Sequence, residues 1–235
     1  MKKLTFLTAG ACAVALQASA DFVTYLDSFG PSATDFSDTL ILPKFDPQLG
    51  DLCAVTYTFR GFINGEVLFD SENPQPSTIK VRISGTIMLK DGATTLVSLA
   101  PIDQAEISVT GDNEALDGFP SPIPRLDTAP DYIGTDAGSY SKVVGQVGVV
   151  NVPVGDLPLF ISSPGDTTVN WSVEAVGDSN ASGSGNLGLF IGQDAGGSVE
   201  IRYEYNCVVP ETSTYLAGLG LIGMAVAATR RFGRR

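Results

Sequence analysis

The chain has 235 residues, with 14 Lys+Arg against 26 Asp+Glu and no histidine, a net charge of −12. That balance excludes a nucleic-acid binder, which needs clustered cations, and the missing histidine excludes Ser-His-Asp and Cys-His catalysis and His-ligated zinc or haem. Hydrophobic residues at 43% and aromatics at 9% exclude a disordered acidic tail.

Residues 1–20 read as an address. Met1-Lys2-Lys3 is followed by an uncharged apolar run from Leu4 to Leu16 and then Ala18-Ser19-Ala20. This is the layout of a secretory signal peptide, handed to the Sec translocon and cut between Ala20 and Asp21. The run is short for a hydrocarbon core of ~30 Å, which favours cleavage over an uncleaved anchor. A lipoprotein site at Cys12, preceded by Ala9-Gly10-Ala11, is the weaker alternative.

Residues 21–207 form a body of ordinary single-domain size. Six of the cations lie in the two ends, so the body holds 8 Lys+Arg against 25 Asp+Glu. Near its start, Phe45-Asp46-Pro47-Gln48-Leu49-Gly50 reads as a structural turn. Asp46 can cap it, Pro47 presets φ, Gly50 permits positive φ, and Phe45 and Leu49 are expected to plug one end of the core. A binding role for Lys44 or Asp46 is the lesser reading.

Strict alternation follows. Val55, Tyr57 and Phe59 alternate with Thr56, Thr58 and Arg60, and Ile79, Val81, Ile83, Gly85, Ile87 and Leu89 alternate with polar neighbours. Val169, Trp171, Val173 and Ala175, and then Val199, Ile201, Tyr203 and Tyr205, repeat the pattern. Period two with β-branched and aromatic residues on one face predicts strands buried on one side. Asn64-Gly65 and Asp91-Gly92 predict type I′ hairpins, and Pro164-Gly165 a further turn. Ser182-Gly183-Ser184-Gly185-Asn186 and Gly196-Gly197 read as flexible turns between the last strands. Cys53 and Cys207 continue the inward parity of their strands and could pair as a disulfide during export. The expected fold is all-β, a single antiparallel β-sandwich of jelly-roll or immunoglobulin-like topology, with a closed barrel as runner-up.

Residues 112–138 interrupt the alternation with acids and prolines. Asp112, Asp117, Asp127 and Asp131 could supply oxygens to calcium, but no D-x-D-x-D-G spacing occurs, and a solvated flap is the alternative. Phe119, Tyr132 and Tyr140 could stack on sugars. The acids of the body single out no catalytic pair for a carboxylate-based glycoside hydrolase; Glu66, Glu106, Glu174, Glu200 and Glu204 fall at outward strand positions. Asn170-Trp171-Ser172 and Asn180-Ala181-Ser182 match the glycosylation triplet and are read as chance.

The tail, residues 208–235, is the second address. Val209-Pro210-Glu211-Thr212 precedes an apolar segment that carries Leu216, Leu219, Leu221 and Ile222 and ends in Arg230, Arg231, Arg234 and Arg235. The uncharged stretch from Thr212 to Thr229 would rise roughly 27 Å as a helix, near the lower limit for a membrane span. The arginines would hold its end in the cytoplasm, with the body on the other side.

This three-part tail resembles the PEP-CTERM sorting signal, with Thr212 where that motif usually has a second proline. The resemblance implies recognition by an exosortase-type membrane enzyme, removal of the tail, and release or attachment at a bacterial surface. The body, most closely at Ile41-Leu42-Pro43-Lys44-Phe45-Asp46-Pro47-Gln48-Leu49-Gly50 and the Val55 strand, resembles the choice-of-anchor E domain, as do Ser182–Asn186 and the Val199–Tyr205 strand. That implies a surface module with no established activity. The function expected is an exported, non-enzymatic surface or extracellular-matrix protein with a structural or adhesive role. The alternative is a carbohydrate- or calcium-dependent binding module acting on extracellular polysaccharide, and a carboxylate hydrolase is the least favoured.

Overall fold

The computed structural model describes residues 20–71, 73, 75–110, 132, 136–183 and 185–207. Ten strands run antiparallel: β1 (Asp21–Ala33), β2 (Phe36–Pro43), β3 (Leu52–Ser71), β4 (Ser77–Asp91), β5 (Thr94–Leu99), β6 (Ile102–Val109), β7 (Ala137–Asn151), β8 (Thr168–Gly177), β9 (Asn180–Ser182) and β10 (Leu187–Tyr205). One sheet has the order β1-β10-β3-β7. The other has the order β2-β8-β4-β5, with β6 and β9 continuing the two flanks of β4. These are two separate sheets facing each other as a sandwich, and not a closed barrel.

The alternating residues drive this arrangement. Phe59, Ile63, Val67 and Phe69 on β3 and Val199, Ile201 and Tyr203 on β10 are buried on one inner face. Ile79, Val81, Ile83, Ile87 and Leu89 on β4 and Trp171, Val173 and Ala175 on β8 meet them from the other. A sheet with one apolar face must cover it, and each fully buried aliphatic or Phe side chain contributes about 1.5–3 kcal/mol. Tyr203 is buried with its hydroxyl donating to the Pro43 carbonyl at 2.9 Å, so its polar tip is satisfied inside the core. Burial pushes its phenol pKa well above the ordinary value, with a smaller upward contribution from Tyr25.

The second sheet bends at Ser84 and Gly85. Opposite that point both flanking strands break, β5 from β6 at Ala100-Pro101 and β8 from β9 at Asp178-Ser179. The loosened main-chain groups find other partners. Asp178 N donates to Ser84 O at 2.9 Å, Ser84 Oγ to Asp178 O at 2.7 Å, and Gly85 N to Pro101 O at 3.3 Å. Two glutamines reach across from the first sheet: Gln193 Nε2 donates to Ser84 O at 2.7 Å, and Gln146 pairs with both main-chain groups of Ala100, at 2.9 and 3.1 Å. These bonds offset much of the cost of the break, because main-chain groups released from the ladder are paired again.

The turn at 45–50 forms as expected in part. Asp46 accepts from Gln48 N at 2.9 Å, Pro47 opens a single 3₁₀ turn, and Gly50 sits at φ 143°. A Cβ on Gly50 would lie 2.8 Å from the amide carbon of Asn206, so glycine here also makes room for the end of β10. Phe45 is fully buried, with its ring 5.8 Å from that of Tyr203 and 5.4 Å from that of Tyr205. Leu49 corrects the expectation: it is 44% exposed, because a one-turn helix turns Phe45 and Leu49 to different sides. Beside this turn Cys53 and Cys207 are joined by a disulfide, with their Cα atoms 6.1 Å apart.

Three turn expectations need correction. Asn64-Gly65 lies inside the unbroken β3, where a Cβ on Gly65 would meet Ile83 at 2.6 Å. Gly196-Gly197 lies inside β10, where a Cβ on Gly196 would meet the Phe62 ring and one on Gly197 the Phe29 ring, each at 2.7 Å. These glycines serve close approach of neighbouring elements, not chain reversal. At the β4–β5 hairpin the central pair is Gly92-Ala93, one residue later than expected. Gly92 takes φ 56° and Ala93 no positive φ, the pattern of a II′ turn. Pro164-Gly165 turns as expected, with Gly165 at φ 87° between the bridged Ser163 and Asp166.

Candidate ligand groove

The bend in the second sheet shapes a groove of about 310 Å³ on its outer face, over β6, β4 and β9. Register places six polar side chains there in two cross-strand rows. Arg82 of β4 stands between Gln104 and Asn180, and Lys80 stands between Glu106 and Ser182. Side chains in such a grid repeat at ~4.8 Å across strands and ~6.8 Å along them. The inward neighbours Ile79, Val81 and Ile83 are buried, which fixes the outward direction of Lys80 and Arg82.

The groove's charges are already balanced. Lys80 Nζ lies 3.3 Å from Glu106 Oε1, and Arg82 Nη2 donates to Asp178 Oδ2 at 3.1 Å. Arg82 Nε is buried without a hydrogen-bond partner. Two cations matched by two carboxylates, flanked by the two amides of Gln104 and Asn180, offer donors and acceptors side by side without a net field. Such a surface suits a neutral hydroxyl-rich ligand better than a phosphate or a polyanion.

A second groove of about 320 Å³ lies at the sandwich end, near Lys44, Asp91, Phe160 and Trp171. Its lysine is taken by Asp166 at 2.6 Å, and Trp171 is buried against a tilted Tyr57 ring and the edge-on Phe160 ring, which leaves fewer groups for a ligand. Between the sheets, the Tyr140 hydroxyl donates to Asp103 Oδ2 at 2.5 Å. That bond, aided by Lys142, lowers the Asp103 pKa, and the same bond, with burial, raises that of Tyr140. A carboxylate shifted down is unsuited to act as a general acid.

The sequence-derived site residues distribute unevenly. Cys53 and Cys207 come together, and Phe45, Asp46, Pro47 and Gly50 gather beside them. Asp21 opens β1, and its carboxylate accepts from Asn206 Nδ2 at 3.3 Å. Tyr140 is half-buried with its hydroxyl engaged. Tyr132 sits at φ 61° and donates its main-chain N–H to Asp70 at 3.2 Å. Ala18, Phe119, the calcium candidates Asp112, Asp117, Asp127 and Asp131, the motif Val209–Thr212, the segment through Leu216, Leu219, Leu221 and Ile222, and Arg230, Arg231, Arg234 and Arg235 lie outside the described residues. Among the described residues no helix is long and apolar enough to cross a membrane, and no group of three acidic or cysteine side chains could hold a metal ion.

No family model matches the chain, and no curated protein matches it. Among solved structures, the mud crab tombus-like virus is 16% identical over 93% of this chain and 100% of its own, with a TM-score of 0.18. The Gx strain of infectious bursal disease virus is 11% identical over 97% of this chain and 54% of its own, with a TM-score of 0.12. At these scores neither likeness bears on fold or function.

Proposed function

We propose that this is an exported, non-enzymatic surface or extracellular-matrix protein, a choice-of-anchor E-type β-sandwich processed through a PEP-CTERM-like tail by an exosortase-type enzyme, with a structural or adhesive role. The Cys53–Cys207 disulfide carries this reading. Such bonds persist in oxidising compartments outside the cytosol, and this one staples the body at the residue before the sorting tail begins. The strand order β1-β10-β3-β7 facing β2-β8-β4-β5, with the chain switching sheet at six of the nine connections between strands, is compatible with a jelly roll, an architecture used for surface and assembly roles. Deleting residues 209–235 should move the protein from the cell surface into the medium, and the surface form should start at Asp21. Surface retention unchanged by the deletion, or an uncut chain in the cytosol with free thiols, would overturn the reading.

A second reading, a module that holds neutral polysaccharide, is favoured by the charge-balanced grid of Arg82, Lys80, Gln104 and Asn180. Calcium would not be needed there. Pull-down on neutral glucans and galactans, with and without calcium, should retain the protein equally, and Arg82→Ala with Gln104→Ala should abolish retention. Retention that survives both changes would refute it. Release of reducing ends, lost on one carboxylate-to-amide change, would instead revive the hydrolase alternative.

A further inference from the structure

The outer edge of the first sheet is β7, and among the described residues no strand pairs with its free side. It is paired to β3 from Ala137 to Asn151 without a register shift, so it is a long, regular edge. Natural edge strands are usually blunted by charge, proline or a bulge, because their unpaired N–H and C=O groups recruit another strand. β7 has no proline and no acid, and Lys142 is its one charge. Lys142 sits at an inward register position with its ammonium 3.8 Å from Asp103, so it does not guard the outer face. On that face Val143, Val147 and Val149 are 61%, 60% and 60% exposed.

We propose that β7 pairs antiparallel with β7 of a second copy of this chain, joining two first sheets into one continuous sheet. The register is the one that sets Gln146 opposite its own counterpart. Val143 then faces Val149 of the other copy, Gly145 faces Val147, and Ser141 faces Asn151. Val143–Val149 and Gly145–Val147 are apolar or small pairs, Ser141–Asn151 is a neutral polar pair, and Lys142 meets Val150, so no like charges oppose each other. In a chain of net charge −12, a strand without acids is where two copies repel least. The opposite edge is unsuited to the role: β1 carries Asp21 and Asp27, and Pro31 with a register shift between Phe29 and Ser32 interrupts it. Pairing β7 with itself uses the same edge twice, so it closes as a dimer and does not grow into a filament.

The paired stretch of about eleven residues is ~36 Å long at ~3.3 Å each. A contact of that length, burying on the order of 1,000 Å² in total, belongs with weak, concentration-dependent interfaces. It would form where copies are crowded.

Sedimentation equilibrium of the full chain in detergent, over a rising concentration series, tests this. Wild type should approach dimer mass, and hydrogen exchange at β7 amides should slow with concentration. Val143→Lys with Val149→Lys sets lysine against lysine twice and should raise the dissociation constant about tenfold or more. Val143→Lys with Val149→Glu sets opposite charges together and should restore dimerisation. Val154→Lys, at an exposed valine outside the strand, should leave it unchanged. Formation of the Cys53–Cys207 disulfide reports folding in each variant. A chain that stays monomeric throughout, or self-association that the paired lysines do not weaken, would overturn the proposal.

Discussion

Replacing both Cys53 and Cys207 by serine opens a cross-link between residues 154 positions apart. In the chain-entropy treatment, closing a loop of that length removes about 17 cal/mol/K from the unfolded ensemble, or about 5 kcal/mol at 25 °C. The bond is not alone at this corner: Asn206 N donates to Asp51 O at 3.0 Å, and β10 pairs with β3 along nearly its whole length. Those contacts exist only in the folded chain and leave the entropic gain intact. Native packing around the sulfurs can relax after substitution, so a loss of about 3–5 kcal/mol is expected. Urea unfolding followed by Trp171 fluorescence measures it. With a slope of about 2 kcal/mol/M, the midpoint should fall by roughly 2 M. Wild type under reductant should unfold where the double-serine variant does. A midpoint drop below about 0.5 M would refute the loop-entropy account, as would a reduced wild type that keeps the oxidised midpoint.

Tyr203→Phe removes the part-buried bond from the hydroxyl to the Pro43 carbonyl and should cost about 0.5–1.5 kcal/mol by the same unfolding assay. Because Tyr57, Tyr140 and Tyr203 all have raised pKa values in the fold, the unfolded chain releases their protons first. Stability is therefore fully present below about pH 10 and falls above it, and Tyr203→Phe should make that fall shallower in a pH series of melting temperatures. Gly65→Ala forces a methyl into Ile83 and should destabilise by about 1–3 kcal/mol, with Ile83→Val recovering part of the loss. Additive losses in the double variant would deny the contact. Gln146→Leu removes both bonds to the Ala100 main chain and should speed hydrogen exchange at Ala100 while the remaining core amides stay protected. Unchanged exchange at Ala100 would contradict that role.

The strands were legible where one face is apolar and the other polar. β4, β8 and β10 show this, because period-two alternation follows directly from burial on one side. Glycine was ambiguous. Asn64-Gly65 and Gly196-Gly197 have the composition of turns, yet they mark places where a side chain from a neighbouring element crosses the strand. That contact is non-local, and no short window contains it. The inward parity of Cys53 and Cys207 was readable and allowed a disulfide without requiring it; the fold brings the two together and joins them. The groove was not readable, since it needs β6, β4 and β9 side by side, and Gln104, Arg82 and Asn180 are far apart along the chain. Strand order depends on the same long-range pairing, so alternation alone left several topologies open.

The covalent link at Cys207 has a mechanical consequence. Tension arriving from the residues beyond it would otherwise pull on one end of β10 and unzip that strand from β1 and β3 one hydrogen bond at a time. Because Cys207 is bonded to Cys53, the load passes at once into the root of β3, its antiparallel neighbour. The two central strands of the first sheet then bear force together, and β10 cannot peel away from β3 at that end while the bond holds.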